Sequence, residues 1–163
     1  MNRIFSFFFL ILITIGINDF ANAQDILGVT SPEEIRETHR VFDIYVNRYQ
    51  PDSTALTYLR EFDESVEIKI LFGTWCHDSK REIPAFIKTM ELAENPKIDI
   101  EYIAVSREKS DPEGRSEAYD LQYTPTFIIF RAENEIGRIV EESTESIEQD
   151  LVQLLKSGDF KDE

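Results

Sequence analysis

Val66-Glu67-Ile68-Lys69-Ile70-Leu71-Phe72-Gly73-Thr74-Trp75-Cys76-His77-Asp78-Ser79-Lys80-Arg81-Glu82-Ile83-Pro84 is the stretch on which the chain is organised. Residues 66 to 72 form an apolar, β-prone run and predict a strand. From Cys76 to about Glu94, Ile83, Phe86, Ile87, Met90 and Leu92 mark a helix, which Pro84 bends. The one cysteine therefore sits where a strand turns into a helix. The first turn of a helix leaves backbone N–H groups unpaired and carries partial positive charge. That field favours a thiolate, which is the nucleophile in sulfur chemistry. His77, when protonated, would support the thiolate and Asp78 would oppose it, while Ser79, one turn along, can donate a hydrogen bond to it. A metal site built from Cys76, His77 and Asp78 is not expected, because consecutive residues at a helix start point in different directions. No cofactor is expected.

The flanking chain carries its own signals. Arg3, the apolar stretch Ile4 to Ile17 and the small-residue site Ala21-Asn22-Ala23 have the order of an export signal, residues 1–23. The apolar stretch is too short to span a bilayer comfortably, so the chain is expected to begin at Gln24 after cleavage. It would then be periplasmic or secreted, without stable membrane association. Roughly 140 residues would remain, the size of one domain. Cleavage removes Arg3 and Asp19 together, so the net charge of −15 is unchanged. Such acidity argues against nucleic acid or an anionic membrane as partner. A single cysteine allows no internal disulfide; in an oxidising compartment the odd thiol is free, paired with another molecule, or reactive.

In chain order, residues 24 to 30 read as a loose leader. Ser31-Pro32-Glu33-Glu34 gives an N-cap, a first-turn proline and a capping-box glutamate for one helix running to Gln50-Pro51; the run Val41 to Val46 is the strand alternative there. His39, inside it, reads as a packing or surface histidine. Asp52-Ser53 opens a shorter helix carrying Leu56, Leu59 and Phe62. After the central strand and helix come a strand over 98–105, a short helix over about 112–121, and a strand entered from Tyr123-Thr124-Pro125-Thr126. A turn at 132–135, a returning strand over 136–141 and a last helix capped by Ser143 or Thr144 complete the pattern. The order after residue 65 is β-α-β-α-β-β-α, which implies a mixed sheet with helices on both faces.

Trp75-Cys76-x-x-Ser79, Pro84 eight residues after the cysteine, and Thr124-Pro125-Thr126 resemble the thioredoxin active site and its facing loop. The resemblance covers roughly residues 66 to 157 and implies an α/β thioredoxin-like fold. Residues 24–65 would then be a helical extension packed on the domain, and 158–163 a polar tail. It implies a cis bond before Pro125, opposite Cys76, with the backbone of Thr124 offered to an extended substrate segment. Two departures matter. Ser79 stands where the family carries its second cysteine, and Ile70 stands where thioredoxins often carry a buried acid serving that cysteine. The two-cysteine reductase cycle is therefore closed, and one-thiol exchange or isomerisation on cysteine-containing proteins or small thiols remains. The alternatives are a binding module without turnover and a one-cysteine peroxidase; for the latter Thr74 lies near, but no arginine can be placed.

Overall fold

Side chains two apart on a strand share a face, and the apolar residues divide accordingly. Ile68, Ile70 and Phe72 join Tyr102, Ala104, Phe127 and Ile129 in one large core, while Leu71, Ile103 and Ile128 form a small cluster on the opposite face. The computed structural model describes residues 24–158. The export-signal reading of residues 1–23, and the tail from 159 onward, lie outside the described residues. The elements are β1 (Gly28–Thr30), α1 (Pro32–Thr38), α2 (Arg40–Arg48), α3 (Ser53–Glu61), β2 (Val66–Phe72), α4 (His77–Ala93), β3 (Ile98–Ala104), α5 (Arg115–Ala118), β4 (Thr126–Arg131), β5 (Asn134–Val140) and α6 (Ile147–Gly158).

They build one five-stranded sheet in the order β1-β3-β2-β4-β5. β2 and β3 run parallel, joined by α4, and the other pairs are antiparallel. The registers Phe72↔Ala104 and Leu71↔Thr126 bring the ends of β2 and β3 and the start of β4 to the same edge, where Cys76 follows. Phe42, Phe72, Phe86 and Phe127 are fully buried in the large core, each worth roughly 2–3 kcal/mol of transfer free energy. The helices are shared out unequally. α1 to α4 and α6 all contribute to the large core, whereas the second face is covered by Tyr119, Leu121 and the single turn α5.

The sequence reading departs from the structure at four places. Residues 24–30 are not a loose leader: Ile26 is buried, and β1 pairs antiparallel with β3 through Val29↔Ile103. The edge of β3 offers unpaired backbone groups, which is why even a three-residue segment is held there. The stretch 24–65 thus adds a strand to the sheet as well as helices to its core. The helix expected from 31 to 50 breaks at His39 (φ −123°, ψ 90°), whose ring is buried edge-on against Phe42. The helix expected over 112–121 shrinks to four residues, because Asp111 gathers the N–H groups of Glu113, Arg115 and Ser116 into a turn. Finally, Ser143 and Thr144 do not cap α6. Ser146 Oγ accepts from Gln149 N (3.4 Å), and the Asp150 carboxyl accepts from the N–H groups of Thr144 and Glu145.

The helical layer is pinned by Glu148, 1% exposed, which accepts from Tyr49 Oη and from Asp52 N, both at 2.8 Å. Burial, then this bond, pushes the Tyr49 phenol far above its usual range; burial, then the carboxyl groups of Glu91 and Glu33, does the same to Tyr102. Both phenols are neutral in the fold. Since their folded values lie above the unfolded value of ~10, the stability they contribute is complete below pH ~10 and is lost as pH rises toward the folded values. Urea unfolding should show stability falling as pH rises above ~10. Tyr49→Phe should make that fall shallower; an unchanged slope would mean the phenol ionises freely in the fold.

Candidate functional site

A helix must begin on a residue that is itself outside the helix. In α4 that residue is Cys76, with φ −73°, ψ 136° and no side-chain capping bond. Its N–H donates to Gly73 O (3.0 Å), closing the turn between β2 and α4. Its thiol, 9% exposed, lies 3.1 Å from Thr124 O and donates to it. The Thr124–Pro125 peptide bond is cis, and Pro125 O accepts from Glu141 N (2.8 Å), which ties the loop to the end of β5. Cys76, Thr124 and Pro125 are therefore brought together from two distant parts of the chain.

Trp75, half-buried, covers the turn: its Nε1 donates to Val105 O (3.1 Å), and the Arg107 guanidinium lies 5.5 Å from its ring centroid. The indole lies over Gly73, where a Cβ would fall 2.5 Å from Trp75 Cε2. Gly73→Ala should therefore displace the ring and break its bond to Val105, at roughly 1–3 kcal/mol. As Trp75 is the only tryptophan, the displacement is read directly as a red shift of intrinsic fluorescence in the folded protein; an unshifted spectrum would show that the turn adapts instead.

His77 is exposed, and its side chain has no partner among the described residues; Asp78 pairs with Arg81 (3.5 Å). Ser79, fully buried, does not hydrogen-bond to Cys76. Its Oγ accepts from Gly73 N (3.3 Å), so the hydroxyl closes the same turn from the helix side. The Cys-x-x-Ser spacing placed Ser79 near the sulfur, but it could not show that an unpaired N–H three residues upstream of Cys76 competes for the hydroxyl. Ile70 is fully buried in the large core, so no acid stands at that position.

Three neighbours escaped the sequence reading. Asp25 Oδ1 accepts from Thr74 Oγ1 (2.8 Å), so the start of the described chain braces the residue two before Cys76. Arg107 reaches Trp75 from the loop after β3. Lys80 donates from Nζ to Trp75 O (3.4 Å) and from its backbone to Cys76 O (3.2 Å). Only Lys80 carried a local signal, as the next residue on the same helical face. Beside the site, Tyr123 (54% exposed) and Val140 (41% exposed) leave apolar surface at the entrance to β4 and the end of β5.

No family model matches this chain, and no curated protein matches it. Among solved structures it is similar to a Pseudomonas aeruginosa protein of unknown function, at 20% identity and a TM-score of 0.48, over 80% of this chain and 78% of that one. A Fasciola hepatica thioredoxin shares 16% identity over 63% of this chain and 88% of its own, with a TM-score of 0.43. Thioredoxin O2 of Arabidopsis thaliana shares 15% over 64% and 83%, also at 0.43. With its strand order, the α4 crossover from β2 to β3 and the antiparallel β4–β5 pair beside β2, the chain has an α/β fold of the thioredoxin-like kind.

Proposed function

We propose that this protein carries out thiol–disulfide exchange with Cys76 as its one nucleophile, acting after export on cysteine-containing proteins or small thiols. The observation that carries the reading is Cys76 at the N-cap of α4, its sulfur 3.1 Å from the Thr124 carbonyl beside Pro125. An extended disulfide-bearing segment laid along Thr124 would bring its sulfur to Cys76. The Cys76 thiolate, its proton released to solvent, attacks one sulfur of the disulfide. A Cys76–S–S–R bond forms, the original S–S bond breaks, and the other half leaves as a thiolate that takes up a proton. Release requires an external thiol, or a second cysteine of the substrate, to attack the mixed disulfide. Ser79 holds the turn and takes no part in electron transfer.

The test is to react the protein with a disulfide-containing protein substrate, trap the products by acid and locate the adduct by mass spectrometry. A mixed disulfide on Cys76, reversed by a small thiol and absent in Cys76→Ser, is the expected result; adduct-free protein under native conditions sinks the reading. The burial of the thiol favours a second reading, a binding module without turnover. It would show as partner binding that forms no adduct and persists in Cys76→Ser. Export is tested separately: the protein recovered outside the cytoplasm should start at Gln24.

A further inference from the structure

We propose that neutral His39 is a positioning residue for Cys76: it clamps Gln24 and Asp25 against the turn between β2 and α4, and its protonation releases that clamp. This rests on the exchange reading above, since exchange is what the position of Cys76 serves. His39 stands at the break between α1 and α2 and is 8% exposed. Its ring packs edge-on to Phe42, which in turn meets Phe72 at the end of β2. The ring donates to the backbone carbonyl of Gln24, and Nε2 is buried with no hydrogen-bond partner among the described residues. Asp25, the next residue, accepts from Thr74 Oγ1 (2.8 Å), two residues before Cys76. A line of contacts thus runs from the junction of α1 and α2, through Gln24 and Asp25, to the turn that holds the thiol.

A neutral imidazole needs an acceptor for one N–H only, and Gln24 supplies it. Protonation makes both nitrogens donors, and the second would then carry charge into a buried place that offers it no acceptor. Charged groups act on the ring from two other elements: the carboxyl of Asp25 favours the cation, and the ammonium of Lys80 in α4 opposes it. Burial is the largest influence and holds the ring's pKa below its usual value. The carboxyl that would steady an imidazolium is also the one committed to Thr74, so drawing Asp25 to the ring takes it from the turn. Because the folded value lies below the unfolded value of ~6.5, the clamp is complete above that pH and is lost as pH falls below it.

The experiment follows Cys76 across pH with two reagents, an uncharged peptide whose cysteine is activated as its thiopyridyl disulfide, and iodoacetamide. Attack on the peptide joins it to the protein and releases thiopyridone, read by absorbance; it requires the peptide to lie along Thr124, whereas iodoacetamide requires the thiolate alone. Both consume the same thiolate, so the ratio of their rates, referred to that for free cysteine, cancels its ionisation and reports its placement. Between pH ~8 and ~5 this ratio should fall about threefold or more. His39→Gln, which keeps a donor for Gln24 but cannot ionise, should make the ratio level with pH. Asp25→Ala, at an exposed residue that puts little of the core at risk, should give the low ratio at every pH. A wild-type ratio that stays level while thiopyridone is released overturns the clamp and leaves exchange standing. So does a fall with pH that persists in either variant, or an Asp25→Ala ratio as high as that of wild type at pH ~8. If wild type releases no thiopyridone at any pH while iodoacetamide alkylates Cys76, the exchange reading fails and takes this inference with it.

Discussion

Ser79→Cys should form an internal disulfide with Cys76 on oxidation and, with excess dithiol, reduce a protein disulfide at least ~100-fold faster than wild type. Cys76 is the N-cap of α4 and Ser79 its third residue, so their Cα atoms are about 5–6 Å apart, inside the disulfide range. The substitution asks little of the fold. The Ser79 hydroxyl makes one bond, to Gly73 N at 3.3 Å, and its loss costs about 1 kcal/mol. The gain is large because an attached thiol replaces one that must diffuse in, and well-oriented intramolecular groups have very high effective concentrations. Recovery should stop short of a full two-cysteine enzyme, since Ile70 is fully buried and offers no proton acceptor. Cys76→Ser in the same background should abolish turnover. If no 76–79 disulfide forms, the two side chains cannot meet and the comparison with a Cys-x-x-Cys site fails. If it forms but nothing is reduced, the binding-module reading replaces the exchange reading.

Glu148→Ala should destabilise the protein by about 3–5 kcal/mol, a large share of the 5–15 kcal/mol typical of a domain. Its carboxyl group, 1% exposed, joins α6 to the end of α2 through Tyr49 and to the start of α3 through Asp52 N. Truncation strands two donors, at roughly 1–3 kcal/mol each, and opens a cavity as well. Glu148→Gln keeps the volume and one acceptor and should lose about half as much. Urea midpoints of Glu148→Ala, Tyr49→Phe and the double variant would give the coupling directly; fully additive losses would mean that the 2.8 Å contact carries no energy.

What the sequence revealed was the part with periodicity. The alternation of Val66 to Phe72 produced β2 at the residues predicted, and the β-α-β-α-β-β-α order after residue 65 is the order observed. Asp52 before Ser53 marked the start of α3, where its carboxyl accepts from Thr54 and Ala55 N–H. The misses share a physical cause. β1 is three residues long, opened by Gly28 at φ 83°, and too short to show a period; what holds it is the edge of β3, far away in sequence. The break at His39 has no glycine or proline to announce it and accompanies burial of the ring against Phe42. Of the site, Trp75, Cys76, Thr124 and Pro125 were legible because residue type and spacing mark them. Asp25 and Arg107 were not, because each reaches the site across tens of residues through contacts that only the folded chain creates.

The pairing of Val29 with Ile103 also makes the start of the described chain depend on a strand synthesised much later. The first described strand is made before every described helix and before β2, yet the edge it binds exists only after β3 has been synthesised and laid beside β2. Closing so long a loop is entropically costly until the rest of the sheet is in place. The earliest described segment therefore waits for β3 before it is seated, and with it Asp25, the brace on Thr74. A chain halted before Ala104 would already hold Cys76 but lack the contact that steadies its turn, so the completed site comes with the completed domain.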